Sequence, residues 1–159
     1  MTDTTTEASK ATGTVRLHRV LKTTPEKLYK AFITPDAMVK FFPPYGFTGH
    51  ITKLDTKVGG ECHMSFTNFG TGKSHSFKTK YVEMVPGKLL QYTDTFDDPN
   101  LPGVMQVTVK MRKNLAGTDL EIVQEGIPAA IPADLCYLGW QETLSQLATL
   151  VEPEIPDGA

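Results

Sequence analysis

The apolar positions near the end of the chain repeat at the spacing of one helix face. Between Asp134 and Val151 they follow i, i+3, i+4 and i+7 steps, with one glutamine in the same stripe. The members of this stripe are Tyr137, Trp140, Gln141, Leu144, Leu147, Ala148 and Val151. The pattern predicts a long amphipathic helix of about 18 residues, which would be about 27 Å long.

Upstream of this helix, apolar and polar positions mostly alternate, as is typical of half-buried β-strands. Loops rich in glycine, proline, asparagine and aspartate separate the alternating segments. The alternation predicts seven strands, at residues 14–21, 47–53, 61–67, 74–85, 89–96, 104–113 and 118–125. Two short helices are expected after the first strand, since Thr-Pro-Glu at 24–26 and Thr-Pro-Asp at 34–36 are helix-start signals.

This order of elements predicts the fold class. Consecutive strands joined by short loops favour an antiparallel meander. A single helix with one apolar face must lie on the sheet to bury that face. The chain is therefore expected to be α+β, with a curved antiparallel sheet of about seven strands around the C-terminal helix.

Composition narrows the class of protein without naming an activity. The 159 residues suit one domain, and 40% hydrophobic with 21% charged residues is ordinary for a soluble protein. A net charge of −2 without a basic stripe argues against a nucleic-acid partner. No apolar run approaches the ~20 residues that span a bilayer, and the N-terminus has no secretory pattern. We expect disordered polar tails at residues 1–12 and 153–159 around one domain at 13–152.

The cysteines and histidines do not indicate a metal or a cofactor. Cys62 and Cys136 have no partner at metal-ligand spacing, so reduced thiols in a cytoplasmic protein are expected. His63 and His75 flank a hairpin but are expected on opposite faces of the sheet. Neither a metal site nor a bound cofactor is predicted.

The hairpins allow a prediction of strand register. Side chains alternate between faces, so residues that share the buried face must pair across each turn. The expected pairs are Met64 with Phe77, Cys62 with Thr79, Tyr81 with Tyr92, Thr79 with Asp94, Asp94 with Val107, and Val107 with Gln124.

This register predicts three rows across the inner face of the sheet. Two are apolar or aromatic, and a more polar one lies between them. The rows are Met64, Phe77, Phe96, Met105; then Cys62, Thr79, Asp94, Val107, Gln124; then Tyr81, Tyr92, Val109, Ile122. A polar band inside an apolar shell is suited to orienting a ligand. A one-residue slip in the fifth strand is the alternative, because it would send Asp94 to solvent and avoid a costly buried carboxylate.

Four segments of the sequence carry a family pattern, at residues 24–42, 58–61, 81–90 and 139–147. Together they resemble the START/Bet v 1-like superfamily, in the branch named for the activator of the heat-shock-protein 90 ATPase. The resemblance spans residues 13 to 152. It implies a helix-grip fold with a hydrophobic cavity under the C-terminal helix. Members bind lipids, sterols, aromatics or polyketides, and some are cyclases.

The sequence departs from that pattern at two aromatic positions. The family usually has tryptophan in the first helix and at the end of the second, where this chain has Tyr29 and Phe41 or Phe42. Aromatic bulk is kept, so the fold is still expected. The ligand preference of relatives does not carry over.

Three functional hypotheses follow. The first is binding of a small hydrophobic, aromatic or lipid-like molecule in the cavity. The second is an enzyme of cyclase or hydrolase type that uses Asp94, His75 and Gln124. The third, suggested only by the family name, is a co-chaperone-like interaction module. A small hydrophobic molecule is the expected partner, and a homodimer is left open.

The candidate ligand-binding residues are those expected on the inner face of the sheet and on the helix that covers it. Trp140 has two interpretations, as an anchor of helix on sheet and as part of the cavity wall. The full set is Met64, Phe66, His75, Phe77, Thr79, Tyr81, Tyr92, Asp94, Phe96, Met105, Val107, Gln124, Tyr137, Trp140 and Gln141.

Overall fold

The structure is a computed structural model that describes residues 12–158. Within these residues, seven strands and three helices follow one another in the predicted order: β1 (Gly13–Leu21), α1 (Pro25–Ile33), α2 (Pro35–Phe41), β2 (Phe47–Leu54), β3 (Glu61–Asn68), β4 (Ser74–Val85), β5 (Leu89–Phe96), β6 (Met105–Asn114), β7 (Gly117–Ile127) and α3 (Ala133–Val151). The predicted N-terminal tail lies outside the described residues, apart from its last position. Residues 153–158 form neither helix nor strand.

All seven strands form one open antiparallel sheet in the order β1-β7-β6-β5-β4-β3-β2. The chain starts at one edge with β1, crosses through α1 and α2 to the opposite edge, and returns strand by strand. The sheet is curled, with α3 as the C-terminal helix of a helix-grip-like arrangement. The predicted α+β fold class is confirmed.

The two short helices begin at the predicted prolines, but the threonine before each helix makes a different hydrogen bond. Thr24 Oγ1 accepts a hydrogen bond of 3.2 Å from the backbone N–H of Lys27 and so caps α1. The Thr34 hydroxyl instead donates to the carbonyl of Lys30, at 2.6 Å. It therefore satisfies the end of α1 and leaves α2 without a side-chain cap.

The end of α2 is held by side chains of α3. Gln146 Nε2 donates to the carbonyls of Phe41 and Pro43, at 3.1 and 2.6 Å. The Thr143 hydroxyl donates to the carbonyl of Phe42, at 2.8 Å. The last carbonyls of a helix have no partner within the helix, so α3 supplies the bonds that α2 cannot make for itself.

Helix α3 is rotated relative to the predicted stripe. Leu144, Leu147, Ala148 and Val151 are buried as expected, but Tyr137 is 42% exposed and Gln141 is also exposed. The prediction that Tyr137 and Gln141 face the sheet is wrong. A second stripe with the same helical spacing, formed by Cys136, Trp140, Thr143 and Leu147, faces inward instead. Hydrogen bonds of Thr143 and Trp140 to the rest of the fold favour this rotation.

The predicted register is confirmed in three hairpins and wrong in one. Met64 pairs with Phe77, Thr79 with Asp94, and Val107 with Gln124. Cys62–Thr79 and Tyr81–Tyr92 are also confirmed.

Between β5 and β6, however, Asp94 lies opposite Met105 and not opposite Val107, which pairs with Tyr92. This is a shift of two residues, so each side chain stays on its predicted face of the sheet. The three predicted rows, however, do not continue from β5 to β6. The alternation of apolar and polar residues determines which face of the sheet a side chain lies on. It does not determine which residue of the next strand lies opposite, because that depends on the loop between the strands. The alternative one-residue slip, which would put Asp94 in solvent, is excluded.

Candidate functional site

A pocket of about 420 Å³ lies between the inner face of the sheet and the first half of α3. Strands β3, β4 and β5 supply ten of its lining residues, and α3 supplies five. Helices α1 and α2 close one side, and the loops before β6 and α3 contribute Leu101 and Ile131. Most lining side chains are aromatic, aliphatic or thioether, with a few polar groups among them.

The structure brings most of the predicted site residues together around this pocket. Those that line it are Met64, Phe66, His75, Phe77, Thr79, Tyr81, Tyr92, Asp94, Phe96, Met105, Gln124 and Trp140. Val107 does not, because it is fully buried in the core. Tyr137 and Gln141 do not, because of the rotation of α3. That the lining residues bind a ligand remains a prediction.

Sequence reasoning missed one part of the wall. The missed lining residues are Phe32, Met38, Phe42, Pro44, Phe47, Leu90, Leu101, Ile131, Leu135, Cys136, Gly139 and Thr143. Leu90 could have been found, because it lies two positions from Tyr92 and so faces the same side of β5. The residues of α1, α2 and the loops enter through tertiary packing, which strand alternation does not report.

Aromatic rings form two groups along the sheet side of the pocket, on either side of the Thr79–Asp94 pair. The Phe66 and Phe77 ring centroids are 5.0 Å apart, and those of Phe77 and Phe96 are 6.5 Å apart, both edge to face. The Tyr81 and Tyr92 rings pack edge to face at 6.3 Å. Such contacts hold the rings in defined positions and leave their faces available to a flat or apolar guest.

Asp94 is the acidic group of this surface. Its carboxyl accepts a hydrogen bond of 2.5 Å from Thr79 Oγ1. Among residues 12–158 it forms no ion pair, and no lysine or arginine lines the pocket. Burial raises the pKa of Asp94 to about 7, since desolvation disfavours the charged form more strongly than the Thr79 hydroxyl favours it.

Gln124 is held in place by partners at both ends of its amide. Its Oε1 accepts from the Trp140 indole Nε1, at 2.9 Å, and its Nε2 donates to Met105 Sδ, at 3.4 Å. Trp140 is therefore both an anchor of α3 on β7 and a wall of the pocket. The two interpretations of this residue are compatible.

Tyr81 and Cys62 lie deep under the same surface. Tyr81 is 2% exposed, and burial raises the pKa of its hydroxyl well above the usual range. Burial, with a smaller contribution from the Asp94 charge, raises the pKa of the Cys62 thiol to about 11. Both groups therefore stay protonated at neutral pH, and Cys62 is a poor nucleophile there.

The predicted catalytic set does not form a hydrogen-bonded group. His75 lines the pocket, but it is four residues from Thr79 along β4, which is roughly 13 Å at the rise of a strand. Phe77 lies between them on the same face, and Asp94 is opposite Thr79. His63 points elsewhere and pairs with Glu61, at 2.8 Å.

The described part of the chain supports neither a metal site nor a membrane-spanning helix. Within residues 12–158, histidine, cysteine and acidic side chains nowhere gather in a group of three that would suit a metal ion. In the same range, no helix has both the length and the apolar character needed to cross a bilayer.

The sheet, the covering helix and the pocket define an α+β protein of the helix-grip type. Residues 22–152 match the family described as Activator of Hsp90 ATPase homolog 1-like protein, and the chain belongs to this family. The predicted resemblance to this branch is thereby confirmed. A comparison with curated proteins found no match.

Solved structures give the same picture. A protein of Chromobacterium violaceum is 51% identical, with 89% of this chain and 98% of that chain covered and a TM-score of 0.88. Proteins of Rhodobacter sphaeroides and Nitrosomonas europaea are 19% and 21% identical, with TM-scores of 0.74 and 0.72. These two alignments cover 86% of this chain, and 90% and 92% of the other chains, and they support the fold alone.

Proposed function

We propose that this protein binds a small apolar molecule, aromatic or lipid-like, in the pocket between the sheet and α3. The observation that carries the proposal is the pocket itself, about 420 Å³ of space walled by aromatic and methionine side chains. Ligand sites typically enclose roughly 300–1,000 Å³, are mostly apolar and hold a few placed polar groups. Asp94 and Gln124 are such groups here.

The geometry favours binding over catalysis by the predicted set. General acid–base work needs groups within hydrogen-bond reach of each other or of one reacting atom. The separation of His75 from Asp94 along the sheet does not supply that. The Gln124 amide is already occupied by Trp140 and Met105.

The position of Gly139 on α3 allows the proposal to be tested by narrowing the pocket. Gly139 lines the pocket, and a Cβ atom there would make ordinary contact with Pro44 at 3.8 Å. Gly139→Leu therefore introduces apolar bulk at the pocket wall without a backbone clash. Gly139→Ala is the matched control, since it makes the same backbone change with one methyl group.

The binding assay uses the neutral fluorophore N-phenyl-1-naphthylamine. We expect saturable binding to the wild type. The Kd of Gly139→Ala should lie within about threefold of the wild-type Kd, and Gly139→Leu should bind at least about tenfold more weakly than the wild type. Unfolding curves check that both variants fold. Absence of saturable binding, together with native mass spectra that show no uptake from a panel of aromatic and lipid molecules, would overturn the proposal.

A further inference from the structure

The Asp94 carboxyl has one oxygen that the described part of the chain leaves without a partner. Its Oδ1 accepts a hydrogen bond from the Thr79 hydroxyl, whereas Oδ2 accepts none from residues 12–158. Oδ2 also keeps accessible surface, because the Tyr81 hydroxyl is the one fully buried, unpaired polar atom among the buried and half-buried side chains of that range. Oδ2 can therefore accept a hydrogen bond from a molecule outside the protein.

The accessible surface of Asp94 faces the pocket. On the inner face of the sheet, Asp94 lies between Thr79 of β4 and Met105 of β6, its partners on the two neighbouring strands. Both partners are buried, and all three side chains line the pocket. Successive side chains of a strand point to opposite faces of the sheet, so the carboxyl is directed into the pocket and not to the outer face.

The described part of the chain brings no positive charge to this carboxyl. Among residues 12–158, Asp94 forms no ion pair, and neither lysine nor arginine lines the pocket. The histidine of the lining, His75, is four residues from Thr79 along β4, which is roughly 13 Å. A carboxylate without a cation is costly in apolar surroundings. A guest that carries a positive charge would remove that cost.

Aromatic side chains flank the carboxyl on both sides. Phe77 and Phe96 form the neighbouring cross-strand pair in one direction along the strands, and all of their rings line the pocket. Tyr81 and Tyr92 form the neighbouring pair in the other direction. Each pair is two positions from Asp94, which is roughly 7 Å along the strands. Aromatic rings attract a cation through their negatively polarised faces, which aliphatic side chains do not.

These surroundings discriminate between the polar groups that an apolar guest can carry. A carboxylate or a phosphate would bring a second negative charge next to Asp94 and is disfavoured. A hydroxyl can donate a hydrogen bond to Oδ2 but brings no charge. A protonated amine supplies the donor and the missing charge together, and a charge-assisted hydrogen bond is roughly twice as strong as a neutral one.

On the basis of the proposed function, we propose that the ligand is an apolar molecule that bears a basic amine. Its ammonium group lies over Asp94, donates a hydrogen bond to Oδ2 and is flanked by the two aromatic pairs. Its apolar body lies against the methionine and aromatic side chains of the pocket wall. Asp94 thus selects cationic guests and disfavours fatty acids and other molecules with an anionic head group.

Four probes with one naphthalene ring and different head groups test this selection. They are 2-naphthylmethylamine, 2-naphthylmethanol, 2-ethylnaphthalene and 2-naphthylacetate, each competed against N-phenyl-1-naphthylamine at pH 8. We expect the amine to bind at least about tenfold more tightly than the ethyl analogue, a difference of about 1.4 kcal/mol. The affinity of the alcohol should lie between these two, and the acetate should bind most weakly.

The affinity for the amine should rise with pH. Burial raises the pKa of Asp94 to about 7, and the ion pair needs the carboxylate form. The amine stays protonated between pH 6 and pH 8, so its affinity should increase several-fold over this range, up to about tenfold. The affinity for the acetate should fall, and that for the ethyl analogue should not increase.

The other titratable groups of the pocket region belong to four elements besides β5. They are Tyr29 on α1, Cys62 on β3, His75 and Tyr81 on β4, Tyr92 on β5 and Cys136 on α3. Burial raises the pKa of the three tyrosines and the two cysteines, so these groups stay neutral between pH 6 and pH 8. His75 is thus the second group whose charge the experiment must separate from that of Asp94.

Asp94→Asn removes the charge and keeps an acceptor for Thr79. We expect it to lose most of the preference for the amine and the pH dependence, while the Kd for 2-ethylnaphthalene changes by less than about threefold. Asp97→Asn is the matched control, since it makes the same substitution on an exposed side chain that does not line the pocket. It should keep both properties. If pH dependence persists in Asp94→Asn and disappears in His75→Gln, the charge belongs to His75 and the proposal is overturned.

The failure of this inference differs from the failure of the proposed function. If 2-ethylnaphthalene binds and the amine has no advantage over it, or if the alcohol or the acetate binds most tightly, the amine assignment is overturned and the binding function stands. If none of the probes binds, the binding function itself fails. Loss of 2-ethylnaphthalene binding in Asp94→Asn would mean a misfolded variant, and the wild-type order of the four probes then decides the proposal.

Discussion

Asp94 is a carboxyl group placed where ionisation is unfavourable. Its pKa in the folded protein is about 7, against 3.8 for the free side chain. Between these values the folded protein holds the proton more tightly than the unfolded chain, so the free energy of unfolding falls as the pH rises from about 4 to about 7. The cause is burial without a cation, and the Thr79 hydrogen bond compensates only in part.

Asp94→Asn should remove that dependence, because the amide keeps an acceptor for Thr79 and does not ionise. We expect the variant to be more stable than the wild type at pH 8 by up to about 4 kcal/mol, which corresponds to the pKa difference. The gap should shrink towards zero near pH 4. Urea unfolding at pH 4.5, 6 and 8 measures it, with the exposed Asp97→Asn as control. A gap that does not change with pH would contradict the account.

The contribution of the hydrogen bond between Trp140 and Gln124 to the unfolding free energy should also be measurable. Trp140→Phe keeps an aromatic ring but leaves Gln124 Oε1 without its donor, so we expect a loss of about 1–3 kcal/mol in unfolding free energy. Adding Gln124→Leu should recover part of that loss, since no polar group is then left unpaired. A double-mutant cycle by urea unfolding gives the coupling energy. Strictly additive losses would mean that the hydrogen bond contributes nothing.

At the scale of elements, the strands and helices were largely predictable and their mutual placement less so. The Thr-Pro-acid signals and the alternating segments predicted the order of elements because these features are local. The pairing of Asp94 with Met105 was not predicted, because the alternation of side chains determines the face of the sheet but not the residue opposite. The rotation of α3 was missed because Thr143 counts as polar in the pattern, while its hydroxyl is satisfied by the Phe42 carbonyl.

The hydrogen bonds between α2 and α3 lead to a prediction about how one helix stabilises the other. Gln146 donates to two carbonyls at the end of α2, so Gln146→Ala should lower the unfolding free energy by about 1–3 kcal/mol. Gln141→Ala is the matched control, since the same substitution is made on the exposed face of the same helix and should stay within about 0.5 kcal/mol of wild type. Urea unfolding compares them. Equal effects of the two substitutions would show that α3 does not support α2 in this way.

In the whole molecule, α3 has two different halves. Its C-terminal half is packed into the core through Leu144, Leu147 and Val151. Its N-terminal half, with Cys136, Gly139 and Trp140, stands over the pocket. The helix is thus fixed at one end and covers open space at the other, as a binding scaffold requires. The aromatic pocket wall was predictable from strand alternation, whereas the contribution of α1, α2 and the loops depends on tertiary packing.

The most direct measurement uses the single tryptophan of the chain. Its indole N–H gives one resonance in a ¹H–¹⁵N spectrum, and that N–H bonds to Gln124 at the pocket wall. Titration with N-phenyl-1-naphthylamine should shift this resonance saturably, together with the amides of Tyr81 and Asp94. An indole resonance that stays unchanged while shifts are confined to exposed residues outside the pocket, such as Val58 and Leu115, would contradict binding in the pocket.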